Sequence, residues 1–215
     1  MLVPVMRAQH DGGVSAGVAM PLMGPNKKEG HYVSRFSDVE PTYSMVLHYR
    51  RNRPKRTNLG YELQFTRRAF STYYSNGSVA GSQGVDVSTV LLTAHVGLLW
   101  RTRTDADGEL GFFYGFQVGS VVGGSMSGRS WNSYPYQSSE ELYEHAFPGK
   151  FGMSLRGSLG VWHLIKASDR GSLYVEPNIS VSVLTLCEFG FGSRSFEPGL
   201  RLGWMVHWNE NQRDR

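Results

Sequence analysis

The feature that most constrains this chain is an alternation of apolar with small or polar residues at a period of two. From Phe196 to Trp208, all seven even-numbered positions are apolar, whereas the six positions between them include a single large apolar residue, Met205. Successive side chains of a β-strand point to opposite faces, so this segment predicts a strand with one apolar and one polar face. Any fold of the chain must give these two faces different surroundings.

The same alternation recurs along the chain and predicts eight strands. We expect them at residues 12–22, 39–50, 58–73, 85–103, 109–123, 149–166, 172–188 and 195–208. Helical patterning is almost absent. Only residues 138–145 predict a single helical turn, because serine at the start and early glutamates suit a helix N-terminus. The sequence therefore predicts an all-β fold.

The connections between the predicted strands alternate in length. Long, loop-like segments follow the first, third and fifth strands, at residues 23–38, 74–84 and 124–148, whereas short turns follow the second, fourth and sixth. Short turns at one end and longer loops at the other are typical of outer-membrane barrels. We therefore predict an eight-stranded antiparallel up-and-down transmembrane β-barrel that spans residues 10–208.

Alternation alone does not decide whether the apolar face contacts lipid or, as in soluble eight-stranded barrels, surrounds a ligand. Two observations favour lipid. Several predicted strands run 14 residues or more, whereas soluble strands usually have ~5–6. Aromatic residues of the apolar face gather near the strand ends, where a membrane interface would lie. The girdle predicted at the short-turn end consists of Tyr49, Tyr61, Trp100, Phe112, Trp204 and Trp208.

The opposite face of the strands carries small residues and charges of both signs, and few lysines. The interior of an eight-stranded barrel is only wide enough for side chains to fill, and an unpaired buried charge is costly. We therefore expect a salt-bridged plug in which Glu62, His48 and His95 share one layer; a proton-linked gate or small pore is the alternative. The predicted interior network consists of Glu62, His48, His95, Arg50, Arg101, Arg156, Glu176, Glu197 and Arg201.

Two phrases in the C-terminal part carry a resemblance to known proteins: Tyr174-Val175-Glu176-Pro177 and Phe196-Glu197-Pro198-Gly199-Leu200-Arg201-Leu202-Gly203. With the strand pattern, they make the chain resemble the small outer-membrane β-barrel superfamily of the OmpA/OmpX type and the "outer-membrane protein beta-barrel domain" families, over about residues 12–208. The resemblance implies the outer membrane of a Gram-negative bacterium, with both termini in the periplasm. Many such barrels end on an aromatic residue, whereas Trp208 is followed by a polar tail, residues 209–215.

This location sets the partners that we expect: outer-membrane lipid and lipopolysaccharide, and other outer-membrane proteins. Residues 1–9 are interpreted as the remnant of an export signal, with an ordinary chain terminus as the alternative. The one dense basic run, residues 50–56, contains a proline and lies between two predicted strands. We interpret it as a turn and expect no nucleic-acid partner.

No constellation in the sequence predicts catalysis, a cofactor or a metal site. Lipid-modifying barrels of this size pair histidine with serine, yet none of the seven histidines has a serine two positions on. The single cysteine excludes a Cys-based zinc site, and the histidines and glutamates of the loops are a weak metal signal. A lipid-modifying enzyme is therefore the least favoured alternative.

The loop predicted at residues 124–148 is the most distinctive surface feature. Its aromatic residues Trp131, Tyr134 and Tyr136 have polar neighbours, and exposed loop aromatics suit protein recognition. We interpret this segment as a candidate partner-contact loop, with a lid over the barrel mouth as the alternative. The expected function is structural or accessory, exerted through the extracellular loops, alone or as a subunit of a larger complex. A narrow outer-membrane channel is the alternative.

Overall fold

The computed structural model of the chain describes residues 9–23, 28–29, 32–37, 39–52, 57–78, 81–104, 110–134, 137–147, 152–168, 171–186 and 191–209. Its strands in chain order are β1 (Gln9–Ala19), β2 (Leu22–Met23), β3 (Lys28–Glu29), β4 (Tyr32–Ser37), β5 (Thr42–Asn52), β6 (Thr57–Ser78), β7 (Gly81–Arg103), β8 (Leu110–Tyr134), β9 (Gln137–Phe147), β10 (Gly152–Ser168), β11 (Gly171–Leu186) and β12 (Phe191–Asn209). No helix in these ranges is long and apolar enough to cross a membrane.

Eight of the described strands form a closed antiparallel wall. The order around the ring is β1, β5, β6, β7, β8, β10, β11 and β12, and β1 pairs with both β5 and β12 to close it. Each wall strand begins within four residues of its predicted start. The predicted fold class, an eight-stranded antiparallel barrel, is thus confirmed.

The two faces of the wall differ as the alternation predicts. Outward side chains are apolar and exposed, as at Val96 (63% exposed) and Leu155 (52%), because no described part of the chain covers them. Inward side chains are buried, and many are polar or charged, among them Glu62 (4%) and Arg201 (2%). The larger part of the apolar surface therefore lies outside the barrel.

The long-loop end differs from the prediction. Two of the segments predicted as loops, 74–84 and 124–148, consist mostly of strand residues that continue the wall. β6 and β7 stay paired up to Ser78 and Gly81, so the described residues of the segment 74–84 belong to two paired strands rather than to a loop. β8 continues to Tyr134 and pairs with β9, so residues 124–148 are largely a second hairpin. With β3 and β4, these strands extend one side of the wall as a projecting sheet in the order β3, β4, β6, β7, β8, β9.

The helical turn predicted over residues 138–145 is wrong, because these residues belong to β9. An isolated helical turn fixes several residues for each hydrogen bond that it forms. β9 instead pairs along its whole length with β8, from Gly124–Phe147 to Tyr134–Gln137. A strand that is already ordered by the barrel wall thus offers the segment more backbone hydrogen bonds than a local helix could.

The predicted terminal segments fall largely outside the described residues. Gln9 begins β1, and residues 1–8 are not described. Asn209 ends β12 opposite Gln9, and residues 210–215 are not described.

Candidate functional site

Four charged side chains in the middle of the barrel form a central network: Glu62, Glu176, Arg101 and Arg201. Each carboxylate contacts both guanidinium groups, over N–O distances between 2.7 and 3.3 Å. None of the four is more than 4% exposed. The two acids balance the two bases, so the network offsets its own buried charge.

The strands that carry the central network lie on opposite sides of the barrel. In the ring order, β6 with Glu62 is opposite β11 with Glu176, and β7 with Arg101 is opposite β12 with Arg201. The ion pair between Arg201 and Glu62 therefore crosses the bore, and Gln117 on β8 adds a 3.1 Å hydrogen bond to Glu62. The network braces the wall from one side to the other.

His48 links a serine and a carboxylate, so that a hydroxyl, an imidazole and a carboxylate form a chain of hydrogen bonds. Its Nδ1 lies 2.8 Å from Oε1 of Glu62, directly across from it in the sheet, and its Nε2 lies 2.8 Å from Oγ of Ser15. The hydroxyl of Tyr174 contacts the same Nε2. Such an order occurs in hydrolases, but Ser15 is 2% exposed and Glu62 is already held by two arginines. The serine hydroxyl is therefore buried, and the three side chains link β1, β5 and β6 through the interior.

The interior toward the short-turn end is filled by an apolar floor that the sequence prediction missed. It consists of Leu99, Phe113, Trp162, Leu164, Tyr174 and Met205. Two arginines lie over its aromatic rings: the guanidinium carbon of Arg50 is 5.3 Å from the Trp162 ring centroid, and that of Arg101 is 5.6 Å from the Phe113 centroid. Cation–π contacts thus join the floor to the charged groups of the interior.

A separate polar group lies near the short-turn end. Nε of Arg50 donates to Oδ2 of Asp11 at 2.5 Å, and Nδ1 of His207 lies 2.8 Å from Oδ1 of the same carboxylate. Oγ of Ser172 lies 2.9 Å from Nε2 of His207. Arg50 therefore pairs with Asp11, which the sequence prediction did not include although Asp11 shares the inward parity of Ser15.

The remaining predicted charges belong to an upper cluster toward the long-loop end, built around Glu197. Its carboxylate contacts Arg68 at 2.8 Å and Arg156 at 3.2 Å, and it accepts hydrogen bonds from Ser182 and Ser195. The structure does not bring His95 into contact with Glu62, since Nε2 of His95 lies 2.8 Å from Oγ of Ser154. Glu62 faces Gly97 instead of His95 across the β6–β7 pair.

The predicted aromatic girdle lies on the outer face near the short turns. Tyr49, Tyr61, Phe112, Trp204 and Trp208 are between 38% and 57% exposed, and Trp100 is half-buried. Trp100 stacks on Tyr114 with 5.6 Å between ring centroids. His10, which the sequence prediction left out, stacks on Trp208 and contacts the Tyr49 hydroxyl at 2.9 Å.

Two of the three candidate contact residues of the predicted loop are described, and both lie on β8 in the projecting sheet. Trp131 is half-buried on β8 opposite Gly84, Tyr134 is the last residue of β8, and Tyr136 lies outside the described residues. A groove of about 570 Å³ lies on this sheet, lined by Ser71, Asp86, Ser88, Ser127, Gly128, Arg129, Leu142 and Glu144. No group of three or more potential metal ligands occurs among the described residues.

Comparisons with known proteins find likeness in structure only. The chain matches no protein-family model and no curated protein sequence. Ail, the attachment invasion locus protein of Yersinia pestis, is 13% identical, with 94% of this chain and 100% of that chain covered and a TM-score of 0.39. OprG from Pseudomonas aeruginosa is 11% identical, with coverages of 94% and 96% and a TM-score of 0.38. Neisserial surface protein A is 13% identical, with coverages of 93% and 97% and a TM-score of 0.36.

The class of the protein follows from the barrel itself. A closed β-barrel satisfies its backbone hydrogen bonds within the wall, which is one of two ways for a chain to span a bilayer. Its outer face is apolar and ends in an aromatic girdle, as in barrels of bacterial outer membranes. The chain is therefore an outer-membrane β-barrel protein.

Proposed function

We propose that the protein is a closed, non-conducting outer-membrane barrel with a structural or accessory role, exerted through its projecting sheet. The observation that carries this proposal is the filled interior. The central network joins strands on opposite sides of the bore, and the apolar floor packs beside it toward the short-turn end. Ions would have to separate paired buried charges and apolar side chains in order to pass, which speaks against the narrow-channel alternative.

The projecting sheet supports a role in contact with a partner. Its strands extend beyond the part of the wall that β10, β11 and β12 provide, and Leu142 on β9 is 83% exposed. Exposed apolar and aromatic side chains among polar neighbours are typical of protein contact sites. In the orientation that we propose, the termini and short turns face the periplasm, and the sheet faces the exterior as the site for another outer-membrane protein or for lipopolysaccharide.

Planar-bilayer recordings test the closed state. We expect no conductance above the bare-bilayer level for the purified protein, and the same result for Glu62→Gln, since the amide still fills its place. Insertion is checked by the resistance of the barrel to added protease. A steady conductance that changes in Glu62→Gln would replace this proposal with the channel alternative.

Gentle purification tests the contact role. A stable co-purifying component, protein or lipopolysaccharide, should be recovered in mild detergent and lost in the double variant Trp131→Ala, Leu142→Ser. Ser133→Ala, an exposed position on the same sheet, serves as the matched control and should retain the component. Recovery of the 24.0 kDa chain alone would contradict the role.

A further inference from the structure

We propose that the upper cluster binds one chloride ion inside the barrel, between Arg68 and Arg156. Both guanidinium groups are at most 4% exposed, and they share a single carboxylate, that of Glu197. Arginine stays protonated in proteins, so among the described residues the cluster carries one positive charge more than it carries negative charge. A buried charge without a counterion is strongly unfavourable, and a bound anion would offset it.

The hydrogen-bond donors of the cluster point to the same conclusion. Nε of Arg68, and Nε and Nη1 of Arg156, have no hydrogen-bond partner among the described residues. The same holds for Oγ1 of Thr66 and of Thr93 and for Nδ1 of His95, and these three side chains are at most 2% exposed. One acceptor of the cluster, Oε2 of Glu197, also has no hydrogen-bond partner there, although it lies 3.2 Å from Nη2 of Arg156. The described part of the cluster thus holds more buried groups that can donate than groups that can only accept, with a surplus of positive charge.

The sheet register shows where these donors lie on the inner face of the wall. Thr66 on β6 lies directly opposite Thr93 on β7, and both face inward. Arg68 is the next inward residue of β6 after Thr66, and His95 is the next inward residue of β7 after Thr93. Ser154, which contacts His95, precedes Arg156 on β10 by one inward position. Because β6 and β7 are antiparallel, Arg68 and His95 lie on opposite sides of the Thr66–Thr93 pair, with Arg68 across from Leu91 and His95 across from Gln64. The donors thus come from three strands, β6, β7 and β10, and Glu197 is the group that Arg68 and Arg156 share.

Water alone does not account for this arrangement. A water molecule can accept hydrogen bonds from the hydroxyl and guanidinium groups, but it cannot offset a net charge. The surplus is a single charge, so a monovalent anion offsets it, whereas a multivalent anion would leave an excess of negative charge. The residues directly across from Arg156 on its two neighbouring strands are Ser182 and Gln117, and its Nη2 donates to Ser180, so none of these neighbours is an acid. Chloride fits this charge and this set of donors.

Bromide replaces chloride in the test because it scatters anomalously. Crystals of the full chain soaked in sodium bromide should show an anomalous peak within hydrogen-bond distance of Arg68 and Arg156. In parallel, the midpoint of thermal unfolding in detergent is measured as chloride replaces gluconate at constant ionic strength. We expect the midpoint to rise by roughly 3 °C per tenfold increase in chloride above its dissociation constant.

Two variants and one control decide the outcome. Arg68→Met leaves Arg156 and Glu197 as a neutral pair, so the variant should fold and lose both the bromide peak and the chloride dependence. Thr66→Val should weaken the dependence while the charge is unchanged. Arg67→Met, at the neighbouring outward position where Arg67 pairs with Glu40 at 3.2 Å, should keep the full dependence. No anomalous peak and no chloride dependence in the unmodified protein would show that water alone fills the cluster and would overturn the proposal.

Discussion

The central network and the upper cluster use the same side chains inside the same wall but differ in charge balance. The central network sets two carboxylates against two guanidinium groups and closes on itself, over four N–O distances of 3.3 Å or less. The upper cluster sets one carboxylate against two guanidinium groups. The first balances its charge with protein groups alone, whereas the second has no further carboxylate among the described residues.

This difference also indicates what each region does for the fold. Two ion pairs of the central network, Arg201–Glu62 and Arg101–Glu176, join strands that lie three places apart in the ring of eight and so cross the bore, whereas the other two join neighbouring strands. In the upper cluster, Glu197 accepts hydrogen bonds from Ser182 and Ser195 of the wall. Several guanidinium N–H groups of Arg68 and Arg156 have no hydrogen-bond partner among the described residues. Substitutions of single charges should therefore have different consequences in the two regions.

The largest effect is expected for Glu62→Ala in the central network. The substitution leaves Arg101 and Arg201 with Glu176 as their shared carboxylate and removes the partner of His48. Removing one partner of a buried ion pair typically costs ~3–5 kcal/mol, because a buried charge is left without compensation. We expect a loss of this size in the free energy of unfolding, measured by urea titration in lipid vesicles with tryptophan fluorescence.

The surface pair of Glu40 and Arg67 is the matched control for this prediction. Its N–O distance is 3.2 Å, but the two side chains are 56% and 42% exposed. Exposed ion pairs contribute ~0–1 kcal/mol, because water solvates each charge when the other is removed. Glu40→Ala should therefore change the free energy of unfolding by less than ~1 kcal/mol. Equal losses for the two variants would mean that the central network is hydrated rather than buried.

The charge balance of the upper cluster is tested by comparing two losses in the free energy of unfolding, one on removal of its acid and one on removal of one of its bases. Glu197→Gln leaves two guanidinium groups without a carboxylate and should cost ~3 kcal/mol, whereas Arg68→Met leaves a neutral pair and should cost only ~1 kcal/mol. In the central network, Glu176→Gln and Arg201→Met should cost the same within ~1 kcal/mol. Urea titrations in low chloride provide the measurement, and a symmetric result in the upper cluster would argue against a surplus charge.

The wall could be predicted from the sequence because its signal is local. Period-two alternation places every second side chain on one face, and an antiparallel pair joined by a short turn has a nearly fixed register. The contact between His48 and Glu62 follows from such a pair, since only four residues separate β5 from β6 in the chain. Arg68 has the inward parity of Glu62 and could have been included on the same grounds.

The arrangement across the bore could not be predicted in this way. Chain order gives neighbouring strands, but strand tilt decides which levels face each other across the barrel, so the ion pair between Arg201 on β12 and Glu62 on β6 does not follow from the alternation. The apolar floor does not follow from the alternation, because Leu99 and Trp162 are apolar residues at inward positions, where the pattern predicts polar or small side chains. The projecting sheet was missed because its strands are rich in serine and glycine, which are typical of loops.

A smaller effect is expected at the apolar floor. Its side chains pack closely, whereas the upper cluster contains donors without hydrogen-bond partners among the described residues. A Cβ atom at Gly111 would lie 2.1 Å from the Thr102 carbonyl oxygen and 2.8 Å from the Trp162 ring. Gly111→Ala should therefore cost ~1–3 kcal/mol through overpacking. Gly157→Ala is the matched control, since no atom lies within 4 Å of a Cβ there. It should leave the free energy of unfolding unchanged or raise it by a few tenths of a kcal/mol. Equal urea midpoints for the two variants would mean that the floor has room to move.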